Sequence, residues 1–425
     1  MRIFFIIINC LIVLNTQAQQ TTTLDWINQN AITIEDSNPD SKLINFTNKT
    51  PEKFSKAQFF GFGEATHHGK DFFDIKAKFF KHLVEKQNVR IFIMEESYQA
   101  ELGINEWISG GKGDRKTIAD NFSIAPWYCK EVVDLLEWMR NYNLKKPKEE
   151  QIRFYGIDTQ IGKNINIQLR NFVTKHGIII EESLLKAADS CSEKQTDYSK
   201  KNTWADSQIP KLEEIERVIQ NHPIYLSNSN NIEFLSILRA LNYLKNFTTF
   251  IQNPKTDIRD EQMFKNLVWL MEHIEKDKKV FIWAHNEHIN KKGHSNSIIN
   301  LGNLLKKNYD DKYYAVGFDF GIGVLPGLKL KNGKPSGWEY QKLEKPYKNT
   351  FAETLINAES DIYFVDMEFA SENEKSNFFK IDKKHLTSGG AGFNIKKTIF
   401  IKRNYIDSYD GLIFVKSITY PSYKI

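Results

Sequence analysis

The chain is predicted to be an α/β protein, with a central, largely parallel or mixed β-sheet flanked by helices and a helical insertion that forms part of the cleft. Three observations carry the prediction. Apolar runs of strand length, rich in β-branched and aromatic residues, recur along the chain, and segments of helical periodicity lie between them. From about residue 165 to 275 the strand runs stop and helical segments follow one another.

The runs are AQFFGFG (57–63), VRIFIME (89–95), QIRFYGID (151–158), KKVFIWAH (278–285), YYAVGFDF (313–320) and DIYFVDME (361–368). Between the first two, Phe72, Ile75, Phe79 and Leu83 recur at helical spacing. Between the second and third, Val132, Leu135, Leu136 and Met139 do the same. The segments KLEEIERVIQ, NIEFLSILRALNYLKNFTTFI and DEQMFKNLVWLMEHIEK form the helical stretch, joined by polar linkers. Beyond residue 330, Gly/Lys-rich turns separate KTIFIKR and GLIFVKS, which suggest further strands or hairpins. The expected organisation is residues 1–18 as a signal peptide, 19–164 as the first part of the α/β core, 165–275 as the helical insertion and 276–425 as the second part of the core.

Composition sets the broad class. The 425 residues are 41% hydrophobic and 26% charged, ordinary for a globular chain, and the 30 phenylalanines predict a phenylalanine-rich core. The formal charge of +5 is spread along the chain without a basic stripe, which argues against nucleic acid as a partner; a small-molecule substrate is the expected partner on other grounds. Met1-Arg2, the apolar run IFFIIINCLIVLN and TQAQQ read as a secretory signal cut after Ala18. The run falls short of the roughly 20 residues of a membrane span. A periplasmic or secreted protein without a stable membrane anchor is expected. Cys129 and Cys191 remain after cleavage; one bridge between them and two buried thiols are both compatible with the sequence.

The chemistry gathers where the strand runs end. The first is followed by Glu64 and His67, the second ends in Glu95-Glu96, the third in Asp158, and the fourth in His285-Asn286-Glu287-His288. In α/β sheets ligands bind at the carboxyl ends of the strands, so Glu64, His67, Glu95 and His285 are expected to line one cleft there. Each residue also has a plainer reading. Glu64 could cap the following helix, Asp158 could be a turn aspartate, His285 and His288 could bond to nearby carbonyls, and Arg259-Asp260 could be a capping pair. One of His67 and His68 is expected to be a surface or packing residue.

Several alternatives fail on their motifs. There is no GxSxG and no P-loop, and in GFGEAT Thr66 stands where a dinucleotide-binding loop has its third glycine. A zinc reading survives, with His67, His285 and His288 and Glu64 or Glu95 supplying three ligands and a base for a metal-dependent hydrolase of another ester, although their spacing matches no metal motif. The economical chemistry without a nucleophile or metal is water activated by a neutral histidine, whose pKa lies at about 6.5. A glutamate on the second ring nitrogen would fix the tautomer. A non-catalytic protein using the same cleft to bind a cation or sugar is the alternative class.

GEATHHGKDFF, FIMEESYQAELGINEWISG, FYGID, IRDEQMFKNLVWL and FIWAHNEHI occur in the order and spacing of the erythromycin esterase family, and the chain resembles that family from about Gly61 to Gly317. The resemblance implies hydrolysis of a macrolactone ester without metal or other cofactor. By it, His67 matches the general base, Glu64 the carboxylate before it, Glu95 the glutamate ending the second strand and His285 the histidine of the AHN motif. Lys76, Asp71, Asp158, Arg259 and His288 are the expected substrate-binding set. Macrolide-hydrolysing members carry arginine at the position of Lys76 and glutamate at that of Asp71, and lysine does not replace arginine where a bidentate contact is needed.

Overall fold

The computed structural model describes residues 22–227, 231–293, 299–332 and 334–425; the expected signal peptide lies outside them. In chain order the strands are β1 (Ile32–Thr33), β2 (Phe59–Phe62), β3 (Ile91–Ser97), β4 (Arg153–Asp158), β5 (Val280–Trp283), β6 (Tyr313–Lys331), β7 (Lys334–Leu343), β8 (Ile362–Asp366), β9 (Lys383–Thr387), β10 (Ile399–Arg403) and β11 (Gly411–Ile418). With the helices between them they make the α/β fold that the alternating pattern predicts. The chain divides into two compact units, one within residues 1–87, 284–296 and 309–422, the other within 88–283, 297–308 and 423–425.

In the first unit the strand order is β1-β8-β11-β6-β2, with β7 paired to β6. β2 and β11 run parallel to β6, whereas β7 is antiparallel to β6 and β8 to β11, so the sheet is mixed. All four residues of β2 are buried, which is why it reads as an unbroken apolar run instead of alternating. Phe46 meets Phe54, Phe79 and Phe364 edge to face at 4.9–5.2 Å between ring centres, and this aromatic cluster is the core the composition predicts. The helix Lys70–Gln87 buries Phe72, Ile75, Phe79 and Leu83 at the expected spacing, and with them Asp74, Lys76 and Lys78.

β6 is much longer than the 313–320 run suggested. Gly321, Gly323, Pro326 and Gly327 break the apolar run, but the backbone stays extended because its partner changes. It pairs with β11 as far as Gly323 and from there with β7, forming a projecting hairpin. β9 and β10 form a separate antiparallel ribbon.

In the second unit β5-β3-β4 form a parallel sheet. Helices Ile165–His176, Glu182–Ser192, Trp204–Gln220 and Ile232–Gln252 pack around Leu169, Leu212, Ile215, Leu241, Leu244 and Phe247. Together with the helix Thr256–His273, these helices occupy much of the described part of residues 165–275. Cys129 and Cys191 are both buried and are not joined in a disulfide. Among the described residues no helix is long and apolar enough to cross a membrane.

One glycine sets the geometry at the exit of β2. A Cβ on Gly63 would lie 2.1 Å from Asn286 Oδ1 and 3.1 Å from Asn286 Cα. Asn286 uses that close approach to tie three segments together. Its backbone N–H donates to Glu64 O at 2.9 Å, its Nδ2 donates to Phe318 O at 2.7 Å, and its Oδ1 accepts from Phe318 N–H at 3.1 Å. Gly63→Ala should therefore cost about 1–3 kcal/mol of stability through overpacking, measured by urea unfolding. An unchanged midpoint would show that Asn286 yields without loss.

Candidate active site

Glu64 and Lys76 carry the first contact of the site, and neither side chain is exposed. Glu64 leaves β2 directly after Gly63, and Lys76 reaches its Oε2 from the second turn of the helix Lys70–Gln87. The other carboxylate oxygen, Oε1, lies 2.6 Å from His67 Nδ1. A carboxylate paired with an ammonium can only accept at this contact, so Nδ1 carries the ring proton. The lone pair of neutral His67 is then on Nε2.

His285 is held in the opposite sense. It caps the short helix Asn286–Ile289, and its Nδ1 accepts the backbone N–H of Glu287 at 3.2 Å. Neutral His285 must therefore carry its proton on Nε2, which lies 3.4 Å from Thr387 Oγ1. The two imidazole rings are 4.9 Å apart between centres. One ring presents a proton acceptor and the other a donor.

Glu287, whose N–H meets His285 Nδ1, belongs to a buried polar cluster. Arg403 contacts both Glu287 oxygens at 2.5 Å and donates to Tyr409 Oη at 2.7 Å. Asp319 accepts from Tyr405 Oη at 2.6 Å and from Phe320 N–H at 2.8 Å; burial, opposed by these bonds, pushes its carboxyl up to about 7. His385 lies 3.7 Å from Asp319, and burial, reinforced by the Arg403 charge, pushes it down to about 3. It is neutral at physiological pH.

His68 is the packing member of the adjacent histidine pair. Its Nε2 donates to Gly390 O at 3.2 Å. Burial, aided by the neighbouring His67, pushes it down to about 4, so it too stays neutral.

The second unit holds its own charged cluster at the ends of β3 and β4. Arg259 Nε and Nη2 donate to the two oxygens of Asp158 at 2.8 Å, and Nη2 also reaches Glu95 Oε1 at 2.8 Å. This forked geometry is what guanidinium supplies and ammonium does not. Tyr243 Oη holds the Asp158 carbonyl at 2.5 Å. Glu96 turns the other way and accepts the N–H groups of Ser97, Ser123 and Ile124 at 2.6–3.1 Å, fixing a loop. Burial outweighs those bonds and pushes its carboxyl up to about 7.

Asp71 accepts from Thr419 N–H at 2.7 Å and Thr419 Oγ1 at 3.0 Å, tying the start of its helix to the chain beyond β11. His288 is buried in the helix after His285. The first unit brings Glu64, His67, Lys76 and His285 together, and the second brings Glu95, Asp158 and Arg259 together. Thr387 and Arg403 carry no local motif and were not visible in the sequence. Among the described residues no three His, Cys, Asp or Glu side chains are grouped so as to hold a metal ion.

The sequence profile of the erythromycin esterase family matches residues 84–418. The chain belongs to the erythromycin esterase family. The matched span includes Glu95, Asp158, Arg259 and His285, whereas Glu64, His67 and Lys76 precede it. The chain is 24% identical to erythromycin esterase type II of Escherichia coli over 325 residues, 69% of this chain and 76% of that one. It is 19% identical over 428 residues to YbfO of Bacillus subtilis (strain 168), whose name proposes a hydrolase; the match covers 93% and 90% of the two chains. The crystal structure of a Bacillus cereus protein superposes with a TM-score of 0.82 at 19% identity, covering 96% of this chain and 99% of that one, and so shares the fold. Membership of the family makes this chain one of its hydrolases.

The Lys76–Glu64 pair predicts a measurable cost. Lys76→Met leaves the buried Glu64 without its counter-ion, and should lose about 3–5 kcal/mol in urea unfolding. Adding Glu64→Gln should restore part of that loss. A single variant as stable as the wild type would contradict the buried pair.

Proposed function

We propose that the chain opens a macrolactone ester by water attack, with His67 as general base. The observation that carries this reading is a pair of imidazoles 4.9 Å apart whose Nδ1 atoms meet a carboxylate in His67 and a backbone N–H in His285, partners that call for opposite tautomers. Water attacks the carbonyl carbon while its proton passes to His67 Nε2, and Glu64 stabilises the imidazolium through Nδ1–H. The oxygen of the tetrahedral intermediate accepts a hydrogen bond from His285 Nε2–H. As the intermediate collapses, the carbon–oxygen bond to the alkoxide breaks and His67 returns the proton to the leaving oxygen. The product is the open hydroxy acid, one water heavier than the lactone.

An ester suits this apparatus better than an amide, because an alkoxide leaves with less assistance than an amine. A positioned base supplies roughly 10²–10⁴ in rate, which suffices for an ester. The similarity to an E. coli erythromycin esterase supports a macrolide as substrate. The basic start and apolar run at the N-terminus support an exported enzyme that meets its substrate outside the cytoplasm.

Purified protein incubated with erythromycin in 18O-labelled water should give a product carrying one added water, with the label in the new carboxylate. Turnover should persist after exhaustive dialysis against a chelator. His67→Asn should reduce kcat by about 10²–10⁴-fold with unchanged circular dichroism. Wild-type turnover in His67→Asn, or activity lost to the chelator and restored by zinc, would overturn the mechanism.

A further inference from the structure

The hairpin of β6 and β7 is joined to the catalytic histidines by one short segment. Thr387, at the end of β9, meets His285 Nε2. Ser388 N–H donates to Ala65 O at 2.9 Å, next to Glu64, and Gly390 O accepts from His68. The segment then docks on the hairpin, with Leu328 N–H donating to Ala391 O and Phe393 N–H to Pro326 O, both at 2.9 Å.

Trp338 of β7 sits on this segment. Its ring centre is 5.0 Å from that of His68. Gly392, at φ +75°, gives it room, since a Cβ there would lie 3.1 Å from Trp338 Cζ3 and 2.3 Å from Pro326 O. Although seated in this way, Trp338 remains 44% exposed. Tyr340, two residues on and therefore on the same face of β7, is 55% exposed and packs its ring 4.4 Å from Tyr420. Isolated exposed apolar residues need no explanation. Two aromatic rings on one strand face, the first of them seated on the segment that touches His285 and His68, do.

We propose that Trp338 and Tyr340 form the specificity surface of the site and take the carbon-rich face of a macrocyclic ester's non-reacting body. The inference rests on the hydrolytic reading above and adds the residues that select for substrate size. A tryptophan face offers a large, rigid contact area and costs little ordering entropy when it binds a ring. The small ester group itself would be held at the histidines and would not feel the hairpin.

The test separates binding of the body from chemistry at the ester. Erythromycin binding is measured by calorimetry in the His67→Asn background, so that the ligand persists, and p-nitrophenyl acetate hydrolysis is measured with His67 intact. Trp338→Ala should weaken erythromycin binding about five- to tenfold, and Trp338→Phe should restore most of it. Neither change should move kcat/KM for p-nitrophenyl acetate by more than about twofold. Equal losses on both probes would show that Trp338 only supports the loop and would overturn the proposal. So would unchanged erythromycin binding in Trp338→Ala, or no erythromycin binding at all. Trp338-dependent binding without turnover of either ester would support the surface and sink the hydrolytic reading instead.

Discussion

Glu64 and Lys76 are ion-paired with neither side chain exposed, and the hydrogen bonding of His67 follows from that pair. Two charges removed from water are tolerated only when each has its counterpart and the remaining valences are filled. Lys76 fills one carboxylate oxygen of Glu64 and His67 Nδ1–H the other. The lysine pairs with the carboxylate, the carboxylate fixes the histidine tautomer, and the tautomer aims a lone pair away from the ion pair. Changing any of the three alters the other two. For this reason a lysine suffices where a substrate contact would have favoured arginine: a point charge in a closed slot serves one oxygen and needs no fork.

The backbone extends the same constraint to His285. Asn286 can reach Glu64 O and Phe318 only because Gly63 lacks a side chain. The turn that follows sets Glu287 N–H against His285 Nδ1, and the Arg403–Glu287 pair holds that turn from the other side. One imidazole is thus held by a carboxylate and the other by a backbone amide, which gives them opposite hydrogen-bonding roles. No metal is required to create that asymmetry.

Much of this was legible in the sequence. Apolar runs ending abruptly in Glu64, Glu95, Asp158 and His285 mark fully buried strands, because a chain without alternation has both faces covered. The helical spacing of Phe72, Ile75, Phe79 and Leu83 likewise marks one buried face. Lys76 falls on the same buried surface one residue after Ile75, so its burial could not be read from the apolar pattern alone. The length of β6 was hidden because Gly321, Gly323, Pro326 and Gly327 interrupt the apolar run while the hydrogen-bonding partner changes. Thr387 and Arg403 act on residues more than one hundred positions away, a distance at which no spacing rule applies. Arg259 had an adequate local reading as a capping residue, and only the folded chain shows its fork on Asp158 and Glu95.

The claim that organises the site is that His67 and His285 hold their protons on opposite nitrogens. Long-range 15N–1H correlation spectra of 15N-histidine-labelled protein, assigned by comparison with His67→Asn and His285→Asn, report this directly. With both rings neutral, the account predicts the proton on Nδ1 of His67 and on Nε2 of His285. A proton on Nε2 of His67, which would leave no lone pair there to accept one from water, would contradict it.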